Sequence, residues 1–297
     1  MLPLLNNVPL GDKTSFRIGG SCRYYCAPFD EEEISEVCTW ARQNKAPVFV
    51  LGKGSNVLVS DSGWNGLVID LSEQWNAIRW NGDSAECQSG ALLHTLVKES
   101  VERGMAGLEK LAGIPGSVGG AVVMNAGAFG QSISDCLVSV KYLSLPDGGI
   151  KTLKAQDLNA SYRSTVFKTS NSIILSADFH FKPDASGQAK KSFAEVLAKR
   201  KERHPLDLPN CGSVFKNPPD TTAGKLIEQC GLKGVGRGAA EVSQKHANFI
   251  VNRGGATAKD VRGLIVQVQR VVYEKTGVVL EPEVVFVGEF EEELFRP

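Results

Sequence analysis

The sequence predicts an α+β protein with a larger, strand-rich body followed by a smaller C-terminal unit. Three observations lead there. Strand-like apolar runs alternate with helix-period segments through Phe181, and the composition break Pro183-Asp-Ala-Ser-Gly187 then interrupts the pattern. Beyond the break, a capped amphipathic helix and a further strand-like run make a set of their own. With 297 residues, 42% of them hydrophobic, the chain is long enough to bury a full core in each part.

The elements follow in order. Acidic residues open a helix near Asp30, with Ile34, Val37, Cys38 and Ala41 at helical spacing. Pro47-Val-Phe-Val-Leu51 reads as a buried strand ending at Gly52, and Gly66-Leu-Val-Ile-Asp-Leu71 as a second. Residues 91–103 carry Leu92, Leu93, Leu96, Val97 and Val101 on one face, with Gly104 as the C-terminal stop. Strand-like runs recur at Ser172-Ile-Ile-Leu175 and Phe179-His-Phe181. A charged helix then runs to His204-Pro205. Thr257 and Asp260 have the spacing of a capping box, opening a helix with Val261, Leu264, Ile265, Val268 and Val272 that stops at Gly277. Val278 to Val287 reads as a strand, and Glu289 to Glu293 as a solvated tail.

Bulk chemistry removes several function classes. Thirty-three basic residues balance 33 acidic ones, so net charge makes no case for a nucleic-acid partner. The opening Met1-Leu-Pro-Leu-Leu-Asn-Asn has neither the basic n-region nor the apolar run of a signal peptide, and no stretch is long and apolar enough to span a membrane. A cytoplasmic protein is expected, with no membrane insertion and no obligate protein partner. Seven cysteines without a CxxC pair read as reduced, mostly buried thiols, and four scattered histidines give no zinc pattern. No metal is expected.

Five segments carry candidate chemistry. Gly52-Lys53-Gly54-Ser55-Asn56 follows a strand. Glycines there let backbone N–H groups approach phosphate oxygens, and Ser55 and Asn56 add side-chain donors. The spacing is neither GxGxxG nor GxxxxGK[ST], and an ordinary turn is the competing reading. Gly113-Ile114-Pro115-Gly116-Ser117-Val118-Gly119-Gly120, with Asn125-Ala126-Gly127, is too glycine-dense for a long helix and too apolar for a linker. It reads either as backbone lying against a large flat ligand or as a tightly packed loop. Arg163, beside Ser164, suits a carboxylate or a developing enolate, or is a surface arginine. Leu208 to Pro218 brings Ser213, Lys216 and Asn217 together between Gly212 and Pro218. Glu281 and Glu283 flank Pro282 with the spacing of one strand face, which fits either proton transfer or a protected edge strand.

Ser15-Phe-Arg-Ile-Gly-Gly20, GKGSNVLVSD, GIPGSVGGAVVMNAGAFG, YRSTVFK, CGSVFKNP, KHANFIVN and LEPEV occur in the order of the UDP-N-acetylenolpyruvoylglucosamine reductase family, which this chain resembles over roughly residues 13–288. The resemblance implies an FAD-binding part of two α+β subdomains of the vanillyl-alcohol-oxidase type, residues 1–72 and 73–187, and a C-terminal substrate domain, 188–297. It implies the short form of the family, without the inserted loop that carries a substrate-binding tyrosine. It further implies non-covalent FAD, NADPH as reductant, and reduction of a UDP-sugar enolpyruvyl ether to UDP-N-acetylmuramate for peptidoglycan.

By the same resemblance, Ser213 is the proton donor to C2, Arg163 stabilises the enolate, and Glu283 orients the transfer. The glycine-rich segments hold FAD. Lys216, Asn217, Lys225 and His246 contact the nucleotide sugar. The chain departs from the family pattern at Lys13, Glu241 and Val285, where asparagine, glutamine and arginine are usual. Two other readings stand beside this one: another flavoenzyme of the same superfamily, and a nucleotide-sugar-binding protein without activity. Against the first, no glycine-rich loop holds a histidine for covalent flavin attachment. Against the second, all three catalytic positions are intact.

Overall fold

The computed structural model describes residues 4–145 and 148–297, so the first three residues of the chain lie outside it. The chain divides into two units. Among the described residues, one comprises 4–5, 25–53 and 66–200; the other comprises 6–24, 54–65 and 201–297.

In the first unit, helix α1 (Glu31–Gln43) begins where the Asp30 carboxylate accepts the Glu33 N–H (2.9 Å). Three glutamates in its first turn suit the positive end of the helix dipole. Its buried stripe is Ile34, Val37 and Ala41, as the spacing predicts. Strand Val48–Leu51 pairs in parallel with Leu67–Asp70. The Tyr25 hydroxyl donates to Asp70 (2.9 Å) within this unit, and burial followed by the Asp70 charge pushes its pKa well up.

A five-stranded antiparallel sheet forms the rest of the unit's frame, in the spatial order Ile150–Lys154, Leu137–Ser144, Ser172–His180, Ser84–Gln88, Ile78–Asn81. The two runs expected at Ser172–Leu175 and Phe179–Phe181 are therefore largely one strand. Helices α2 (Leu93–Glu102) and α3 (Val118–Val123) supply Leu93, Leu96, Val97, Val118 and Val122 to a core shared with Ala177, Phe179 and Phe181. Leu92 does not belong to the buried face of α2. It is the extended N-cap residue and is 43% exposed. Helix α4 (Gln188–Arg203) is the charged helix, and Asp184 satisfies its first turn by accepting the Ala189 N–H (2.7 Å).

The second unit is organised by α6 (Ala258–Thr276), preceded by the short α5 (Ala223–Gln229). The expected capping box is present: Thr257 accepts the Asp260 N–H, and Asp260 accepts the Thr257 N–H (both 3.0 Å). Asp61 adds a second anion at the same end, accepting the N–H groups of Ala258 (2.8 Å) and Lys259 (2.9 Å). Gly277 ends the helix with φ +72°, which a side chain would oppose. Val261, Leu264, Ile265, Val268 and Val272 are buried against Phe16, Leu58, Phe215 and Ile250. Each contributes about 1.5–3 kcal/mol before the entropy of ordering is subtracted.

Two expectations fail here. Only Val285–Val287 is a strand, pairing in parallel with Val57–Val59. Pro282 has no N–H to extend a ladder, and it makes a single bridge with Phe215. The Glu289–Glu293 cluster is not a free solvated tail. Glu291 pairs with Lys259 (3.1 Å) and Glu292 with Arg237 (3.3 Å), while Phe290 and Leu294 pack on the core. The cysteines are free thiols, buried except for the half-buried Cys38.

Candidate active site

The first unit supplies Arg163 and most of the glycine-rich segment. Strand Val48–Leu51 delivers Gly52 against Ser117, where a Cβ would sit 2.3 Å from the Ser117 Oγ. Ser117 is the N-cap of α3, and the next backbone groups are sewn to a neighbouring loop: Val118 N–H to Ala91 O (2.8 Å) and Gly119 N–H to Ser89 O (2.7 Å). A Cβ on Gly119 would lie 2.7 Å from the Ser89 Cβ. Gly127 is similarly blocked by the Gln131 carbonyl (2.7 Å). At these positions glycine is needed for protein to approach protein.

Gly120 differs. It is exposed, and its nearest neighbour is the Ser117 Oγ at 3.5 Å, so its outer face stays open. Gly116 at φ +123° and Pro115 shape the turn before it. Lys53 and Ile114 flank these positions, the first exposed and the second half-buried.

Arg163 stands on a tight turn in which Ser161 and Ser164 exchange backbone hydrogen bonds (2.9 and 3.2 Å). Its φ of +57° is a left-handed conformation that an arginine adopts only when its surroundings impose it. Two tethers do so: Asn125 Nδ2 donates to Ser161 O (3.0 Å) and Thr165 Oγ1 to Val123 O (3.0 Å). Asn125, Ala126 and Gly127 thus lie directly beside the arginine turn. Arg200, which sequence reasoning missed, belongs to this region. It lies against Gly113, and its Nε is buried without a partner. Burial, then the charge of Arg163, depresses its pKa, with no carboxylate among the causes. Its place in the charged helix Gln188–Arg203 hid it among other basic residues.

The residues of this unit fit a flavin nucleotide. The buried Ser89 Oγ and Asn125 Oδ1 have no hydrogen-bond partner among the described residues, and α3, which lies between them in the chain, carries the open face of Gly120.

The second unit supplies Ser213 and Glu283. Gly212, at φ +80°, turns the chain into Ser213. Asn210 stabilises the turn by accepting the Gly212 N–H (2.9 Å), and its own backbone is bound by Ser15, whose hydroxyl donates to Asn210 O (2.7 Å). After Ser213, the buried Asn248 closes a reciprocal pair with Phe215: it accepts from Phe215 N–H (3.0 Å) and donates to Phe215 O (2.8 Å). Val214 N–H also donates to Asn248 O (2.8 Å). The half-buried Ser213 hydroxyl itself makes no hydrogen bond to a described residue.

Glu283 is held opposite Val214, one residue from Ser213, by its N–H to the Val214 carbonyl (2.7 Å). Asn56 fixes it from the other side, donating to Glu283 O (3.1 Å) and accepting from Val285 N–H (2.9 Å). The amide of Asn56 is therefore engaged with the Glu283 backbone. Gly54 has φ +57° and is packed on the Lys13 carbonyl, where a Cβ would come within 2.4 Å; Ser55 is half-buried beside it. Lys216 opposes Glu281 and pairs with it at 2.5 Å.

Asn217, Lys225 and His246 come together around α5. Asn217 Oδ1 accepts from Ala223 N–H (3.1 Å), and Gly224 lies against the His246 ring. His246 Nδ1 accepts from Asn248 N–H (3.2 Å), and burial lowers its pKa. Cys211 is buried, with its thiol pushed up to about 12 by burial, so it is a packed residue and not a nucleophile.

A model of the UDP-N-acetylenolpyruvoylglucosamine reductase C-terminal domain matches residues 204–287, and one described as an FAD binding domain matches residues 22–154. The chain is 43% identical to the UDP-N-acetylenolpyruvoylglucosamine reductase of Agathobacter rectalis, covering 97% of this chain and 95% of the relative. It is 42% identical to that of Caldicellulosiruptor bescii, covering 100% and 94%. The crystal structure of UDP-N-acetylenolpyruvylglucosamine reductase from Thermus caldophilus superposes with a TM-score of 0.82 at 34% identity, covering 97% of this chain and 99% of that one. With a two-subdomain α+β FAD-binding part and a smaller α+β C-terminal domain, the chain belongs to the UDP-N-acetylenolpyruvoylglucosamine reductase family.

Proposed function

We infer that this protein is an FAD-dependent oxidoreductase that uses NADPH to reduce UDP-N-acetylglucosamine enolpyruvate to UDP-N-acetylmuramate, a step of peptidoglycan precursor synthesis. The observation that carries the reading is the Glu283 N–H bonded to the Val214 carbonyl (2.7 Å), which fixes Glu283 against the residue that follows Ser213.

The FAD part is assigned to residues 1–72 and 73–187, and the substrate part to 188–297. The matched regions 22–154 and 204–287 fall inside those bounds. Non-covalent FAD is assigned to Gly52, Lys53, Gly54, Ser55 and Asn56, to Gly113, Ile114, Pro115, Gly116, Ser117, Gly119 and Gly120, and to Asn125, Ala126 and Gly127. The open face at Gly120 and the unpartnered Ser89 and Asn125 oxygens support that assignment. Bound there, FAD would supply the hydride chemistry between NADPH and the enol ether.

The chain's own residues manage the charge and the proton. Arg163 faces the negative charge that develops beside the substrate carboxylate, and Arg200 raises the local positive potential. Ser213 gives its proton to C2, and the carboxylate of Glu283 orients that transfer. Asn217, Lys225 and His246, gathered at the start of α5, are assigned to the nucleotide sugar. Lys216 is assigned with them, its ammonium shared with Glu281. A nucleotide-sugar substrate and an NADPH reductant place the activity in the cytoplasm. Among the described residues no helix is long and apolar enough to cross a membrane.

The test follows flavin absorbance without oxygen. Bleaching by NADPH and recovery on adding the enolpyruvyl nucleotide sugar is the expected result. Bleaching that only oxygen reverses would replace this reading with an oxidase. A protein that takes up no FAD would leave a nucleotide-sugar-binding protein in its place.

A further inference from the structure

Gln269 is a buried amide on the apolar face of α6, and no assigned step of the reaction uses it. It is 2% exposed and lies one helical turn from the buried Ile265, Val266 and Val272. An amide in such a place costs stability unless both of its ends are paired. Both are: Nε2 donates to the Leu280 carbonyl (2.8 Å), and Oε1 accepts the Phe295 N–H (3.2 Å). A carbonyl needs a donor and an N–H needs an acceptor, so the two partners fix the orientation of the amide.

Those partners lie on different segments of the second unit. Leu280 is fully buried and opens the segment that carries Glu283. Along that segment Glu281 O accepts the Lys216 N–H (2.9 Å), Pro282 bridges Phe215, and Glu283 N–H donates to Val214 O (2.7 Å). Pro282 has a ring-fixed φ and restricts Glu281 before it, so the orientation imposed at Leu280 passes to Glu283 through a stiff link. Phe295 belongs to the C-terminal segment, which is fastened to α6. Lys259 pairs with Glu291 (3.1 Å), Arg262 Nε donates to Glu292 O (2.8 Å), and the Phe295 and Tyr273 ring centroids are 5.4 Å apart.

We propose that Gln269 is a positioning residue for the Glu283 carboxylate, and that residues 291–295 take part in setting that carboxylate through it. The inference rests on the reading in which Glu283 orients proton transfer from Ser213. Packing alone would be served by an apolar side chain of similar length. The amide adds direction: it holds the Leu280 carbonyl while the Val214 carbonyl holds Glu283 three residues on.

The test is anaerobic stopped-flow absorbance of the flavin-loaded protein, following reduction by NADPH and reoxidation by the enolpyruvyl nucleotide sugar separately. Gln269→Met keeps the length and loses both hydrogen bonds. Its maximal reoxidation rate should fall about tenfold, while the half-saturating sugar concentration and the reduction rate stay within about twofold. In a Glu283→Gln background the same substitution should slow reoxidation by less than about twofold more, because it acts through that carboxylate. Phe295→Ala and Phe295→Pro both lose the ring, but only the second loses the N–H, so it should reoxidise about two- to fivefold more slowly than the first. Gln269→Met that melts earlier with reoxidation unchanged, or that slows both half-reactions equally, would overturn the proposal. So would a full tenfold effect in the Glu283→Gln background. Phe295 is half-buried, so its two variants decide the matter if Gln269→Met fails to fold, and equal rates in them would overturn the proposal. Unmodified protein that the enolpyruvyl sugar cannot reoxidise would overturn the reaction itself, and this inference with it.

Discussion

Asn248→Ala separates the machinery that holds Ser213 from the acid itself. Asn248 is 4% exposed and Phe215 2%, so deleting the amide leaves the Phe215 N–H and carbonyl buried without partners. At about 1–3 kcal/mol for each orphaned group the cost is about 2–6 kcal/mol, and water entering a relaxed loop brings it to the lower half of that range. Melting temperature then falls by several degrees. Ser213 is two residues from Phe215, and a displacement of about 1 Å at a reacting group costs about 10²-fold. In anaerobic stopped-flow absorbance, reoxidation by the enolpyruvyl substrate should slow about 10- to 100-fold, while reduction by NADPH stays within about threefold. Asn248→Asp keeps the acceptor for Phe215 N–H and should restore part of the loss. Melting that falls while both half-reactions stay normal would refute the positioning argument, as would equal slowing of the two.

Three further outcomes follow from the site. Ser213→Ala should leave reduction by NADPH intact and stall the second half-reaction by about 10²–10⁴-fold; normal turnover would remove Ser213 as the acid. Gly52→Ala puts a Cβ 2.3 Å from the Ser117 Oγ, so the N-cap of α3 must rotate away at about 1 kcal/mol, and ultrafiltration should show looser flavin retention. His246 has a lowered folded pKa, so between that value and about 6.5 the unfolded chain binds more protons. Its contribution to stability is complete above about pH 6.5 and is lost as pH falls below it. Denaturant midpoints of His246→Gln should therefore change less between pH 7 and pH 5 than those of the unmodified protein.

Helices were legible wherever spacing and caps agreed. Asp30, Thr257, Asp260 and Gly277 mark ends that depend on their own immediate neighbours, so a local reading suffices. Features set by distant partners were not legible. Glu291 and Glu292 look like a free acidic tail until Lys259 and Arg237, 32 and 55 residues away, bind them. Val278 to Val287 has the composition of a strand, but Pro282 limits the pairing before Val285 to a single bridge. The two-unit division joins residues 6–24 and 54–65 to the C-terminal part, an interleaving that no local signal announces.

The groups proposed to react were legible in the sequence and their supports were not, for one physical reason. Ser213, Arg163 and Glu283 come from motifs whose order carries the family resemblance, whereas Asn248, Asn210 and Arg200 gain meaning only from what they touch. Glycine shows the same limit. Its presence signals that something comes close to the backbone, but not what. At Gly52, Gly54, Gly119 and Gly127 the close neighbour is protein, and at Gly120 the face is open. Packed loop and proposed ligand cradle are therefore compatible readings of the glycine-rich segments, since close packing on one side leaves a face such as that of Gly120 open on the other. A packed loop holds the open face rigid, so a flavin that binds there meets a backbone surface already fixed in place, and less ordering is left to oppose binding.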